Sequence, residues 1–137
     1  MASAWQSQQF TPAQIADANY GASGADPDAD GLTNFWEWAL GLNPLAADAS
    51  GAIVTTLEPD AATGPYLTIR YRRNLAAATL QHFADTAAIP GTWNLGGSVA
   101  VGAPVNNGDG TETITRRDTQ PSTGTGQRFI RLRVIGN

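Results

Sequence analysis

The sequence predicts a mostly β fold with a small α-helical part at its front. Three observations carry this. From about residue 51 apolar side chains recur with period two, clusters of Gly, Pro and Asn separate these runs, and the helical periodicity lies before residue 48. With 137 residues, 42% of them hydrophobic, the chain is large enough for one compact domain or a small domain with an appendage, and wholesale disorder is not expected. The expected division is a helical unit over residues 1–48 and an antiparallel β-sandwich, Ig-like or an open barrel, over 49–137, packed together as one module.

The first helix is expected to start at Thr11. A Thr N-cap, Pro12 at the first helical position and Gln14 three residues on make a capping box, and Phe10 and Ile15 occupy the staple positions. The helix should fade near Tyr20, because Gly21 and Gly24 follow. Asp26-Pro27-Asp28-Ala29-Asp30-Gly31 cannot be regular structure. Leu32, Phe35, Trp36, Ala39 and Leu40 then form a helical stripe, closed by Gly41 as a left-handed cap and by Pro44. Strands are expected at Ile53–Leu57, Tyr66–Arg72, Thr79–Ala84, Ser98–Val105, Glu112–Arg117 and Phe129–Ile135. In the last, Ile130, Leu132 and Val134 alternate with Arg131 and Arg133. Asn106-Asn107-Gly108-Asp109-Gly110 is a strong hairpin turn.

Composition excludes several classes. Without cysteine there is no disulfide, thiolate zinc site or thiol nucleophile, and one histidine excludes a site of two imidazoles. No run approaches the roughly 18 apolar residues of a membrane span. Met1–Trp5 has neither basic residues nor an apolar stretch, so no export signal is expected within this chain. The net charge of −4 is unevenly spread: residues 1–64 carry eight acids and no basic residue, while 65–137 carry eight Arg against four acids. The arginines fall on strands, on the outward side of the alternation. Pairing with Glu112, Asp118 or the acidic front is therefore expected rather than contact with nucleic acid, for which no motif is present.

The chemistry-bearing segment is residues 26–37, Asp-Pro-Asp-Ala-Asp-Gly-Leu-Thr-Asn-Phe-Trp-Glu. Every specified position of the twelve-residue pattern D-x-[DN]-x-[DN]-G-x5-E is matched. Asp26, Asp28 and Asp30 would give side-chain oxygens, Leu32 its backbone carbonyl, Asn34 an oxygen directly or through water, and Glu37 two oxygens. Ca2+ takes 6–8 oxygens at about 2.3–2.6 Å, and alternate residues of a tight loop converge on one point. Four carboxylates this close repel one another, so a divalent ion at their centre couples binding to local folding. A lone helix cap needs one acid, not three spaced by two and a Glu at the right distance. One structural Ca2+ is expected, not a paired sensor.

Asp26–Pro44, DPDADGLTNFWEWALGLNP, resembles the DPDGDGLTN-type calcium loop and following helix of large secreted bacterial proteins, a loop related to thrombospondin type 3 and dockerin-like (EF-hand-like) repeats. YLTIRYRRNLAAATL, DGTETITRRDTQP and RFIRLRV are similar to the β-domain that follows this loop at the C-terminus of such proteins. The resemblance implies a non-catalytic accessory module of an exported protein, secreted or at the cell surface, with Asp26, Asp28, Asp30, Asn34 and Glu37 as ligands. Ala29 stands where the family favours Gly, which costs stability if that position needs positive φ. The chain has one loop, whereas cohesin-binding dockerins have two.

Other constellations are weaker. Trp36, Trp38, Trp93, Tyr66 and Tyr71 could form a sugar platform, with Trp38, off the helical stripe, and Trp93, after a turn, as the candidate ligand-binding residues. His82 has no catalytic partners and is expected to be structural. Gly124-Thr125-Gly126 lacks the strand-then-helix setting of a phosphate loop. The expected function is attachment, presentation or assembly of a larger exported protein, without catalysis. Its partners would be Ca2+ and a cell-surface polysaccharide or protein. The alternatives are a carbohydrate-binding module and a subunit that assembles with itself through strand edges.

Overall fold

Residues 1–60, 62–89, 91–123 and 126–136 are described by the computed structural model. Gly124 and Thr125, of the Gly124-Thr125-Gly126 stretch, lie outside the described residues.

Among the described residues the chain forms three short helices, α1 (Ser3–Gln9), α2 (Pro12–Ala16) and α3 (Asn34–Leu40). Seven strands follow: β1 (Ile53–Glu58), β2 (Tyr66–Asn74), β3 (Leu80–Ala87), β4 (Ser98–Ala100), β5 (Val105–Asn106), β6 (Thr111–Asp118) and β7 (Phe129–Gly136). The chain is thus mostly β, and every strand pair is antiparallel.

The capping box of α2 is present: the Gln14 N–H donates to Thr11 Oγ1 and the Thr11 N–H to Gln14 Oε1. The helix stops at Ala16, short of Tyr20. Asp17 takes over the backbone, accepting the Asn19 N–H at 2.9 Å, the local competition that makes Asp a poor helix-interior residue. Gly21 then packs against Ile15, where a Cβ would lie 2.4 Å from the Ile15 carbonyl oxygen. α1 lies before the first expected helix. It has no side-chain cap, and tertiary packing holds it: Trp5 is buried edge-on against Phe10, ring centroids 6.0 Å apart. The expected run Ser98–Val105 is two strands, interrupted by Gly102 and Pro104.

One sheet has the order β1-β2-β6-β4, with β5 also paired to β6, and β3 pairs with β7 in a second. Ile69 and Tyr71 of β2, Ile53 of β1 and Ile114 of β6 meet Ala84 of β3 and Ile130 and Leu132 of β7, so one apolar layer draws on both sheets. This arrangement is consistent with a sandwich.

The helical segment packs on this body through two further clusters. Trp5, Phe10, Trp38 and Ala39 pack with Ala77 and Leu80, while Leu40 and Leu42 pack with Ala52. The C-terminal carbonyls of α3 are met by strand side chains. Asn74 Nδ2 donates to the Trp38 carbonyl at 2.8 Å, and neutral His82 donates from Nε2 to the Ala39 carbonyl at 3.3 Å. Gly41 ends α3 at φ 73°, and a Cβ there would lie 2.4 Å from Thr111 Cγ2. These contacts fix where the end of α3, and hence Glu37, sits against the sheet.

Candidate metal centre

The loop between α2 and α3 is closed by two backbone bonds, from the Asn34 N–H to the Ala25 carbonyl at 2.8 Å and from the Phe35 N–H to the Ser23 carbonyl at 3.0 Å. Within it, each aspartate uses one oxygen to hold the turn. Asp26 Oδ2 accepts the Gly31 N–H, Asp28 Oδ1 the Asp30 N–H, and Asp30 Oδ1 the Leu32 N–H. Ala29 is at φ 59°, the only positive value among the described residues that are not glycine, and Gly31 is at φ 97°. The backbone strain raised by the Gly-to-Ala departure is therefore present.

The second oxygens are the informative ones. Asp26 Oδ1, Asp28 Oδ2, Asn34 Oδ1 and both carboxylate oxygens of Glu37 are buried with no hydrogen-bond partner. All are acceptors. The Asn34 amide is oriented by its nitrogen, which donates to the Tyr20 and Ala22 carbonyls and leaves Oδ1 free. Buried polar atoms in folded proteins are nearly always paired, so five unsatisfied oxygens in one loop-and-helix unit require a missing donor or cation. Asp26, Asp28 and Asp30 each offer an oxygen within 4.8 Å of the others.

Electrostatics tells the same story. Burial pushes the Glu37 carboxyl up to about 8, reinforced by the charges of Asp28, Asp30, Asp48 and Asp26. Asp28 is likewise raised, first by burial, although the Asp30 N–H opposes the shift. None of these acids forms an ion pair with a basic side chain among the described residues. The donor set is all oxygen, mostly carboxylate, which suits a hard divalent cation such as Ca2+ and not a softer metal. The sequence-derived set Asp26, Asp28, Asp30, Asn34 and Glu37 is gathered in this one region. Leu32, whose carbonyl was expected to contribute, follows Gly31 in the same turn.

One neighbour has no counterpart in the loop pattern. Asp48 offers an oxygen within 4.8 Å of oxygens from Asp30 and Glu37. It comes close because Asp30 Oδ2 accepts the N–H groups of Asp48 and Ala49, at 3.1 and 2.9 Å. Pro44 and the turns after α3 bring it there, a placement no local spacing encodes.

The proposed sugar platform needs correction. Trp38 is not exposed: only 6% of its surface is accessible. It lies off the helical stripe of α3, but Trp5 of α1, with Phe10, covers this side of the helix. Tyr66 and Tyr71 are buried, Trp36 is half-buried, and Trp93 is half-buried with the Arg131 guanidinium 4.2 Å from its ring centre. His82 is structural in its contacts, stacked on Tyr71 at 5.9 Å.

The arginines are paired as expected in part. Arg73 pairs with Glu112, Arg128 with Asp118 at 2.7 Å, and Arg117 reaches Asp60 at 3.8 Å. Arg131 and Arg133 instead converge on Asp85, a fully buried acid the sequence did not single out. Burial alone would raise Asp85, but bonds from Arg133, the Gly96 N–H and Arg131 hold it below the usual carboxylate range.

No family model, curated protein or solved structure matches this chain. No helix among the described residues is long and apolar enough to cross a membrane.

Proposed function

We propose that this chain is a calcium-binding, non-catalytic accessory module of an exported protein, in which one structural Ca2+ clamps the loop 26–37 and α3 against the β body. The observation that carries the reading is the set of five buried acceptor oxygens on Asp26, Asp28, Asn34 and Glu37 that have no donor. With the ion bound, Asp26, Asp28, Asp30, Asn34 and Glu37 would hold it, and the cation would supply the positive charge these carboxylates lack. Residues 1–48 are then read as an EF-hand-like unit on an antiparallel sandwich. In support, α3 begins at the ninth loop position and carries Glu37 at the twelfth. The helix before the loop ends at Ala16, well short of Asp26, which favours a fixed clamp over a hinged sensor. The module's work is attachment, presentation or assembly of a larger exported protein, secreted or at the cell surface.

Calorimetric titration of chelator-treated protein tests the binding claim. One Ca2+ per chain is expected, with Mg2+ far weaker, and Asp26→Ala and Glu37→Ala should abolish the signal. Equal affinity for Mg2+ would contradict a flexible many-oxygen cage.

A second reading, self-assembly through strand edges, is supported by β1. This strand pairs with β2 alone among the described residues, and Leu57 upon it is 54% exposed. Sedimentation with and without chelator separates the two, since a monomer under both conditions would exclude assembly.

A further inference from the structure

We infer that Asp48 is an additional ligand of the cation at the loop, so that the ion holds the turn at residues 43–49 as well as the loop and α3. The inference rests on the calcium reading and extends its ligand set beyond the twelve-residue pattern. Asp30, Glu37 and Asp48 each present a carboxylate oxygen within 4.8 Å of the other two. Glu37 is the buried member of this group, and neither of its oxygens has a partner. Asp30 and Asp48 crowd a buried carboxyl that has no partner, and a cation among the three relieves both its burial and the repulsion. The residues before the sheet offer no alternative, because positions 1–64 contain no Lys or Arg.

The backbone is arranged to present Asp48 and does not satisfy it fully. Asp30 Oδ2 draws the turn in through the N–H groups of Asp48 and Ala49. Asp48 Oδ2 accepts the Asn43 N–H at 3.2 Å, and its Oδ1 has no partner among the described residues. A side chain held near a hard cation with a spare oxygen is a ligand in the flexible, 6–8-oxygen geometry that Ca2+ accepts.

Terbium is the probe, because Trp36 and Trp38 on α3 can sensitise its luminescence and its decay in H2O against D2O counts bound waters. The full chain is stripped with chelator and loaded with Tb3+, as wild type, Asp48→Ala, Asp48→Asn and, as a distant acid control, Glu58→Gln. Expected is about one additional bound water in Asp48→Ala, together with Ca2+ affinity weakened about tenfold or more, as ligand number and charge set affinity. Glu58→Gln should match wild type in both. If Asp48→Ala keeps the wild-type water count, Asp48 is not a ligand, even if its lost charge weakens binding slightly. If Asp48→Ala does not fold, Asp48→Asn decides by affinity, and wild-type affinity there overturns the inference. If the wild type binds neither ion, the calcium reading itself fails. If the wild type binds and Asp48→Ala is unchanged, only the role of Asp48 falls.

Discussion

Replacing Glu37 by Gln should change stability in opposite directions with and without calcium. In chelated protein, burial and four neighbouring acids push the Glu37 carboxyl from 4.5 up to about 8. At pH 7 the folded state holds it protonated, at a cost to folding of about 3 kcal/mol for the interval between its unfolded value and the ambient pH. Gln has no such cost, and its amide can donate to the surrounding carboxylates. Chelated E37Q should therefore melt higher, by about 8 °C if most of the 3 kcal/mol is recovered in a chain of this size. With calcium present, Gln offers one neutral oxygen in place of two charged ones. A thousandfold weaker ion removes about 4.1 kcal/mol of ligand-derived stability, more than the roughly 3 kcal/mol gained in chelator, so the variant should melt lower than wild type. Because the folded value of Glu37 lies above its unfolded value, chelated wild type should also lose stability as pH rises from about 4.5 to about 8. Saturating calcium should flatten that slope. Differential scanning calorimetry in chelator and in calcium reads all of this. The reasoning is refuted if E37Q shifts the melting temperature in the same direction under both conditions, or if calcium leaves wild type unmoved.

Ala29→Gly removes the left-handed strain at φ 59°, about 1 kcal/mol, while adding unfolded-chain entropy. A net gain of up to about 0.5 kcal/mol is expected from urea midpoints in calcium, and a loss above about 1 kcal/mol would show that the strain is absent. Asp85→Ala leaves Arg131 and Arg133 without their shared partner and should cost about 3 kcal/mol in urea unfolding; a cost under 1 kcal/mol would mean that water replaces the acid. Burial lowers the His82 imidazole below 6.5, and its bond to the Ala39 carbonyl only partly offsets this. Its contribution to stability is therefore complete above pH 6.5 and lost as pH falls below it. His82→Gln should flatten that part of the pH–stability curve, and an unchanged acid slope would place the effect elsewhere.

The strands were legible because their alternation survives in any context that buries one face. Ile130, Leu132 and Val134 read correctly from sequence alone, as did the hairpin turn before Thr111. The loop was legible for a different reason, since its oxygens converge through local spacing within twelve residues. What escaped depends on distant chain. Trp38 was misplaced because Trp5, more than thirty positions earlier, covers it. Asp48 lies outside the loop pattern and reaches the site only through the turns after α3. Asp85 looked like one more strand acid, and its meaning is set by residues 46 and 48 positions downstream. The short helix α1 carries no cap to announce it, and α2 ended early because the propensity of Asp17 for turns outweighed the glycines farther on.

The pairing of β3 with β7 has a consequence for how the chain reaches its native state. A ribbon of two strands has little to prevent sliding, yet Asp85 lies directly opposite Arg131 and also holds Arg133. Slipping by one position turns the acid to the face opposite both guanidinium groups, and slipping by two forfeits at least one of them. Asp85 thus acts as a detent that recognises only one alignment. Because its mates are made so much later than β3, this click into place is expected among the last events of folding.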